Sequence, residues 1–200
     1  MAQTFLKLDT GVTGTLPTGN YVQGSGDLVR VGGASATGQN VGHLAIDSLF
    51  SSTYRNYLVV GYINLLSDSS QIWLRYRKNS GTTLESSNYK FAFHGTNVSD
   101  SISNISSSGG DSKFRLSGGT TSNDGYPSSY FEIKVFNPAI SSMITSIHAT
   151  FTEFDESAVL TRYSGGGFHT ETASHDGLYF VPNSQNLENY HINVYGMKDS

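Results

Sequence analysis

Histidines with neighbouring carboxylates are the residues of this chain that could bind a metal ion. Among six histidines, His169 and His175 lie near Glu171 and Asp176, and this is the only local group of ligand-type side chains. A six-residue spacing across a predicted turn could bring both imidazoles to one Zn²⁺. Neither a His-Glu-x-x-His nor a His-x-His pattern occurs. We therefore favour a pair of solvated loop histidines over a metal site.

Acidic residues and serines could carry hydrolytic chemistry. Glu153, Asp155 and Glu156 could supply the two carboxylates of a glycosidase, but three acids at a predicted strand end favour a solvated loop. No serine lies in the Gly-x-Ser-x-Gly pattern of a nucleophile elbow. The glycine run 165–167 lacks the Lys-Ser/Thr of a phosphate loop and is predicted to be a turn before Phe168. These patterns predict a protein that is not an enzyme and has no cofactor.

Exposed aromatic side chains make carbohydrate binding a stronger candidate than any of these reactions. An aromatic ring offers an apolar face and a polar rim to a sugar. Trp73 lies on the polar face of its predicted strand beside Arg75, and Tyr126 and Tyr163 lie near predicted loops. These four residues are the candidate binding residues. The alternative, which we favour, is that Trp73 faces the second sheet or a neighbouring subunit.

Composition restricts the partners of the chain. Charged residues make up 14% of the sequence and the net charge is -4, against about 25% charged residues in average domains. Nucleic-acid binding usually needs a basic face, and Arg75, Arg77 and Lys78 form the only basic cluster, which we interpret as an exposed strand end. The absence of cysteine excludes a disulfide framework.

Targeting and membrane segments are not indicated by the sequence. Residues 1–9 have no apolar core after a basic region, so they do not have the pattern of a signal peptide. No segment approaches the roughly 20 apolar residues of a membrane span. We therefore expect synthesis in a cytoplasm and no membrane insertion.

Alternating apolar and polar residues are the strongest structural pattern of the chain. Side chains that alternate with a period of two indicate half-buried strands. This alternation predicts strands at 57–65, 72–77, 89–94, 130–136, 147–154 and 190–196. They predict an all-β fold, an antiparallel β-sandwich of jelly-roll-like type. Both faces of 57–65 are apolar, which predicts a central strand buried on each side, and Gly61 within it predicts a bulge or a close approach.

Residues 1–45 differ from the rest of the chain. They contain possible strands at 4–8 and 27–31 but too few large apolar residues for a core of their own. We predict an extended attachment and oligomerisation segment at 1–45, followed by a sandwich domain at 46–200. The first strand would otherwise be an exposed edge, so we expect this segment to dock on the domain or to pair with a neighbouring subunit.

Three further segments connect the predicted strands. Residues 46–50 are expected to be a helical turn or an irregular loop, and 113–116 a short strand. Residues 96–111 are rich in Ser, Asn and Gly and are predicted to be a long polar loop. Little helix is expected anywhere.

Several segments resemble structural proteins of bacteriophages. The opening run 5–17, which begins Phe-Leu-Lys-Leu-Asp, resembles segments of tail-fibre and other virion proteins. Residues 50–60 and 72–77 look like a β-sandwich module of tailed phages, notably marine ones, and 192–196 is similar to its last strand. The resemblance carries no catalytic residue. It implies a homo-oligomer, commonly a trimer, whose N-terminal segment attaches to the virion while the sandwich faces outward.

These observations predict a virion structural protein that is assembled in the host cytoplasm with other virion proteins. Our first expectation is a tail-fibre-like component that contacts the host surface, and our second is a capsid decoration or head-fibre protein. A carbohydrate-binding module and a hydrolase of surface polysaccharide are the alternatives from other classes. A host surface glycan is the expected ligand of the binding alternative, and nucleic acid is not an expected partner.

Overall fold

The chain folds as a series of β-strands. The computed structural model describes residues 28–68, 70–78, 81–83, 87–118, 129–154 and 159–198. These residues contain no helix, and hence none that could cross a membrane. Their strands are β1 Leu28–Ala36, β2 Leu44–Ile46, β3 Asn56–Leu65, β4 Ile72–Lys78, β5 Thr82–Thr83, β6 Tyr89–Asn97, β7 Ile102–Asp111, β8 Phe114–Arg115, β9 Ser129–Phe136, β10 Thr145–Phe154, β11 Leu160–His169, β12 Gly177–Pro182 and β13 Leu187–Met197.

Two antiparallel sheets make up the sandwich. The larger sheet has eight strands in the order β1-β13-β3-β9-β10-β11-β6-β7, and the smaller has the order β2-β12-β4-β5, with β8 also paired to β4. Every strand pair is antiparallel. The predicted all-β sandwich is therefore confirmed, and the six strands with clear alternation all form close to their predicted bounds.

The alternation of side chains explains why the two sheets pack together. On β4, Ile72, Leu74 and Tyr76 are fully buried between the sheets, while Trp73 and Arg75 point outward. On the larger sheet the inward positions of β3, β6, β9 and β10 are likewise filled by aromatic and branched residues. Burying a side chain of this size contributes about 1.5–3 kcal/mol, so these inner faces provide the main stabilisation of the fold.

The described part of the segment 1–45 lies within the two sheets. β1 pairs along its length with β13 at one edge of the larger sheet, and β2 pairs with β12 at one edge of the smaller sheet. The sandwich therefore includes residues from Leu28 onward. The predicted strand at 4–8 lies outside the described residues, and the assembly role of the segment stays a prediction.

The predicted loop at 96–111 is largely a strand, and that prediction was wrong. β7 pairs with β6 as an edge strand of the larger sheet. None of its described side chains is buried, so the strand forms through backbone pairing and needs few apolar residues. The true turn is short. The side-chain oxygen of Asn97 accepts hydrogen bonds from the backbone N–H groups of Ser99 and Ser101, at 3.0 and 2.9 Å, which closes the turn as an Asx motif.

The glycine run 165–167 is also a strand and not a turn. It lies in the middle of β11, between β10 and β6. A Cβ atom on Gly167 would lie 2.8 Å from a ring carbon of Phe114 and 2.7 Å from the Cβ of Phe91. Glycine occurs here because aromatic side chains from both sheets fill the space that a side chain would need. β12 was missed altogether by the sequence patterns.

The structure decides between the two predictions for residues 46–50, a helical turn or an irregular loop. Ile46 ends β2, and an irregular loop follows in which Ser48 has a φ of 58°. Leu49 and Phe50 are buried against the core. The segment is thus an irregular loop with two core anchors, and no helical turn forms.

Only one face of β3 is buried among the described residues. Tyr57, Val59 and Ile63 are fully buried, but Leu58, Val60 and Tyr62 on the other face are partly exposed. The prediction that β3 is buried on each side is therefore wrong for its outer face, since no second layer covers it within the described part of the chain. This outer face carries the candidate site described below.

Candidate functional site

The sequence-predicted binding residues do not come together in one site. Trp73 and Arg75 point outward from β4, so the alternative that Trp73 faces the second sheet is wrong. The Lys113 ammonium lies 4.1 Å from the centre of the Trp73 ring, and Arg75 donates a hydrogen bond to the Ser112 carbonyl at 3.1 Å. Because Lys113 covers one face of the indole, the residue already has a partner of its own.

The two predicted tyrosines do not add to that surface. Tyr163 is only 2% exposed and lies within β11, not near a loop as predicted. Its side chain points into the sandwich, because inward and outward positions alternate along β11. Tyr126 lies outside the described residues.

His169 and His175 do meet, but in the core and not on a solvated loop. Both side chains are fully buried, and their ring centres lie 5.2 Å apart at nearly a right angle. Tyr76 stacks on His175 at 4.5 Å, and the Tyr89 ring lies edge-on to His169 at 4.6 Å. The two imidazoles do come together as the six-residue spacing allowed, while the expectation that they are solvated was wrong because Tyr76 of β4 and Tyr89 of β6 pack against them.

The buried imidazoles are held in their neutral form. Burial lowers the pKa of His175 to about 3, and His169 and Lys78 act in the same direction. Burial also lowers the pKa of His169. The Nδ1 atom of His175 lies 2.8 Å from the Thr145 hydroxyl. No group of three or more His, Cys, Asp or Glu that could hold a metal ion exists among the described residues. The histidine pair is therefore part of the hydrophobic core. Because its pKa values are lowered in the folded state, the free energy of unfolding should depend on pH.

The prediction that the acidic group at the end of β10 lies in a solvated loop is wrong for Glu153. Glu153 is 1% exposed and lies opposite Ser129 of β9 and Thr161 of β11 in the sheet. Asp155 and Glu156 lie outside the described residues. A buried carboxylate at an inward strand position is poorly placed to act on a polysaccharide in solution.

Two residues of the basic cluster on β4, Arg77 and Lys78, have acidic partners. Arg77 is nearly buried and binds both carboxylate oxygens of Asp47, at 2.5 and 3.3 Å, while it donates to the Thr83 hydroxyl at 2.8 Å. Lys78 lies 3.5 Å from Glu171. The interpretation of an exposed strand end was thus wrong for Arg77, which ties the loop after β2 to the smaller sheet.

Replacing Arg77 with methionine should destabilise the fold through that loop. Removing one partner of a buried ion pair costs about 3–5 kcal/mol, but the Asp47 side chain is 34% exposed and can regain water. We therefore expect the free energy of unfolding to fall by about 2 kcal/mol in urea denaturation. Arg162→Met, at an exposed position of β11, is the control and should change little. Equal effects of the two substitutions would show that the Asp47 contact contributes nothing.

The sequence patterns missed a cluster on the outer face of the larger sheet. Register places His191 of β13 beside Tyr62 of β3, and Tyr62 beside Tyr130 of β9. The rings of Tyr62 and His191 are nearly parallel with centres 6.3 Å apart, and Tyr62 and Tyr130 are 6.2 Å apart. Tyr130 is 50% exposed. We call these three side chains the aromatic row.

Polar side chains surround the aromatic row. The next row of the sheet carries Asn193, Val60 and Glu132 on the same three strands and continues to Thr150 on β10. Together the two rows line a shallow depression of about 400 Å³. Each residue occupies an outward position of its strand, which the alternation could have indicated. Their proximity could not be predicted, because it depends on which strands are neighbours and in what register.

Hydrogen bonds fix one side of the depression. Arg30 of β1 donates to the side-chain oxygen of Asn193 at 2.9 Å. The Asn193 amide nitrogen lies 2.9 Å from Nε2 of His191, whose Nδ1 lies 3.1 Å from the Ser35 hydroxyl. This chain of contacts from β1 to β13 holds the imidazole of the aromatic row in place.

Comparison of the chain with protein-family models, with curated proteins and with solved structures found no match.

Proposed function

We propose that this protein is a non-enzymatic structural component of a tailed-phage virion, a tail-fibre-like homo-oligomer that contacts the host surface. The observation that carries the proposal is the polarity of the larger sheet. Leu28, which follows the segment 1–27, pairs with Met197 at one end of the sheet. His191 and the aromatic row lie six residues, or about 20 Å, towards the other end.

This polarity suits a protein that attaches at one end and makes contacts at the other. The segment 1–27 joins β1 at the end of the sheet far from the aromatic row. It would attach to the virion, and the depression would then face away from the attachment point. Residues 5–17 carry the resemblance to tail-fibre proteins, which supports the same assignment of ends.

The positions of the chemically active residues support a role without catalysis. Glu153, His169 and His175 are buried at inward positions, where a polymeric substrate has no access. Arg77 is engaged by Asp47 and Thr83. The partly exposed outer face of the larger sheet is instead suited to binding.

Sheet edges support an oligomer. Among the described strands, β1 and β7 are the two edges of the larger sheet, and an exposed edge can pair with another chain. The low charge of the chain, 14%, opposes such contacts little. We propose that residues 1–27 of one copy pair with the β1 edge of a neighbouring copy and so associate three copies of the chain.

A truncation that keeps β1 tests this assembly. We expect the full chain to have about three times the mass of one 21.6 kDa chain in light scattering coupled to gel filtration. The variant lacking residues 1–27 should elute as a folded monomer with an unchanged circular dichroism spectrum. A truncated protein with the mass of the full chain would contradict the proposed role of this segment.

Labelling of purified particles tests the location. Antibodies against the sandwich, viewed by electron microscopy, should mark the tail fibres. Labelling of the head would instead support a decoration or head-fibre protein. Absence of the protein from purified particles would overturn the virion assignment.

A further inference from the structure

We propose that the depression around the aromatic row is a binding site for an uncharged glycan, with Tyr62 and Tyr130 as the stacking platform. This inference depends on the proposed contact with the host surface and names the chemistry of that contact. It places the ligand on the larger sheet, on the opposite side of the sandwich from Trp73.

The aromatic row supplies the apolar part of sugar recognition. The C–H face of a pyranose ring packs on an aromatic face, and such side chains contribute both area and specific geometry. The ring centres of His191, Tyr62 and Tyr130 are spaced by 6.3 and 6.2 Å across three neighbouring strands, and the Tyr62 and Tyr130 rings are inclined to each other by 56°. Two sugar rings of one oligosaccharide could therefore pack on the two tyrosine faces at different angles. Such a ligand would lie across the strands, over the aromatic row.

The polar wall of the depression is already ordered for hydrogen bonding. Because the Arg30 guanidinium can only donate, the Asn193 side-chain atom that faces it must be the oxygen. The amide nitrogen of Asn193 therefore faces Nε2 of His191. His191 then accepts at Nε2 and carries its proton on Nδ1, facing Ser35. The second N–H of the Asn193 amide group points away from His191. Ordering these side chains in advance reduces the entropy lost when a ligand binds.

The remaining polar groups match sugar hydroxyls, which both donate and accept. Glu132 is exposed in the row next to Tyr130 and offers carboxylate oxygens as acceptors. Thr150 and Thr152 line the same depression from β10 and offer hydroxyl groups. Acceptors, donors and hydroxyls thus border an apolar centre formed by Val60 and the tyrosine rings.

The charges of the depression favour an uncharged ligand. Glu132 is the only ionic side chain among its lining residues, and Lys134 lies 3.7 Å from it at the border. A sialylated or sulfated glycan would meet the carboxylate of Glu132, while the cations at the border, Lys134 and Arg30, are engaged by Glu132 and Asn193. Trp73, in contrast, has the Lys113 ammonium over its ring.

Binding of the full chain to an array of neutral, sialylated and sulfated oligosaccharides tests the site, followed by calorimetry with the neutral glycan that binds best. Tyr130→Ala should weaken that binding by about tenfold, a change of about 1.4 kcal/mol, and Tyr62→Ala by a similar factor. Tyr130 is half exposed, so its loss should leave folding intact. Tyr195→Ala is the matched control, because Tyr195 is partly exposed on the same face and pairs with Leu58, two positions along β3 from Val60.

Each other outcome overturns a distinct statement. If no neutral glycan binds the full chain, the inference fails, while the oligomer mass and the particle labelling still decide the proposed function. If Trp73→Ala abolishes glycan binding and Tyr130→Ala does not, the site assignment is wrong. If Tyr130→Ala changes the oligomer mass, the depression is an interface between copies of the chain and not a glycan site.

Discussion

The His175→Gln variant is expected to lose much of the acid sensitivity of this protein. In the folded chain, His175 is buried against Tyr76, His169 and Thr145, with Lys78 near enough to oppose its protonation. In the unfolded chain the imidazole is solvated and has its ordinary pKa. The two states therefore bind protons differently, and stability depends on pH.

The direction of that dependence follows from the lowered pKa. Above pH 6.5 His175 is neutral in both states and there is no penalty. Between pH 6.5 and about 3 the unfolded chain binds a proton that the folded chain does not, so the free energy of unfolding falls as the pH falls. At pH 4.5 this one group should lower it by about 3 kcal/mol relative to pH 7.5. His169, whose pKa is lowered by burial, acts in the same direction.

Urea denaturation at pH 7.5 and pH 4.5 gives the free energy of unfolding at each pH, and the difference between the two values measures the acid sensitivity. Glutamine should lower stability at pH 7.5 because it loses the stacking on Tyr76, but the loss between the two pH values should shrink by about 3 kcal/mol. The control is His148→Gln, an exposed histidine of β10. An unchanged pH difference in the His175 variant would show that the buried imidazole does not govern acid unfolding.

The choice of pH 4.5 separates the effect of the buried histidines from that of the Asp111 carboxylate. Although partial burial acts to raise it, the pKa of Asp111 is lowered by its hydrogen bonds with Lys113, Ser112 and Arg115. A carboxylate of this kind contributes stability that is lost only as the pH falls below its ordinary value of 3.8. At pH 4.5 that contribution is still largely present.

Gly61→Ala is expected to destabilise the sandwich by about 3 kcal/mol or more, at the upper end of the range for overpacking. Gly61 lies at the centre of the larger sheet between Ile192 of β13 and Phe131 of β9. A Cβ atom there would overlap the carbonyl oxygen of His191 and lie 2.9 Å from the Cα of Ile192. Both contacts are with backbone held by the sheet ladder, so no rotamer change can relieve them. The close approach predicted from the sequence is confirmed.

Gly109→Ala is the matched control for this substitution. Gly109 lies on the edge strand β7, and a Cβ atom there would meet nothing within 4 Å. Thermal and urea denaturation should place this variant within about 0.5 kcal/mol of the wild type. Similar losses in both variants would mean that the sheet adjusts at Gly61 and that the close approach carries no special cost.

Some strands could be predicted from the sequence and others could not, and the difference has a physical reason. The strands β4, β6, β9 and β10 have an apolar face and a polar face, so the period-2 pattern revealed both the strand and its inward residues. β7 and β11 have few large side chains because they are at an edge or opposite crowded aromatic residues. Their strand structure comes from hydrogen-bond ladders with β6, which a local pattern does not reveal.

The candidate sites show the same division. His169 and His175 were singled out for their spacing, and the structure does bring them together, but whether they meet in water or in the core depended on Tyr76 and Tyr89 from other strands. The aromatic row combines Tyr62, Tyr130 and His191, which are at least 61 residues apart in the sequence. Nothing in their spacing along the chain indicates that they are neighbours in the sheet. Trp73 was singled out because it lies on the polar face of its strand beside Arg75, yet the Lys113 ammonium covers its ring.

Side-chain alternation and composition were enough to predict that the chain is all-β, that most of its strands have one inward face, and that it carries little charge. These properties are local, because each depends on residues close together in the chain. The burial of the histidine pair and the assembly of three outward side chains into the aromatic row follow instead from the way the strands are arranged in the two sheets. Both depend on strand order and register, which bring together residues far apart in the chain and determine which of their atoms water can reach.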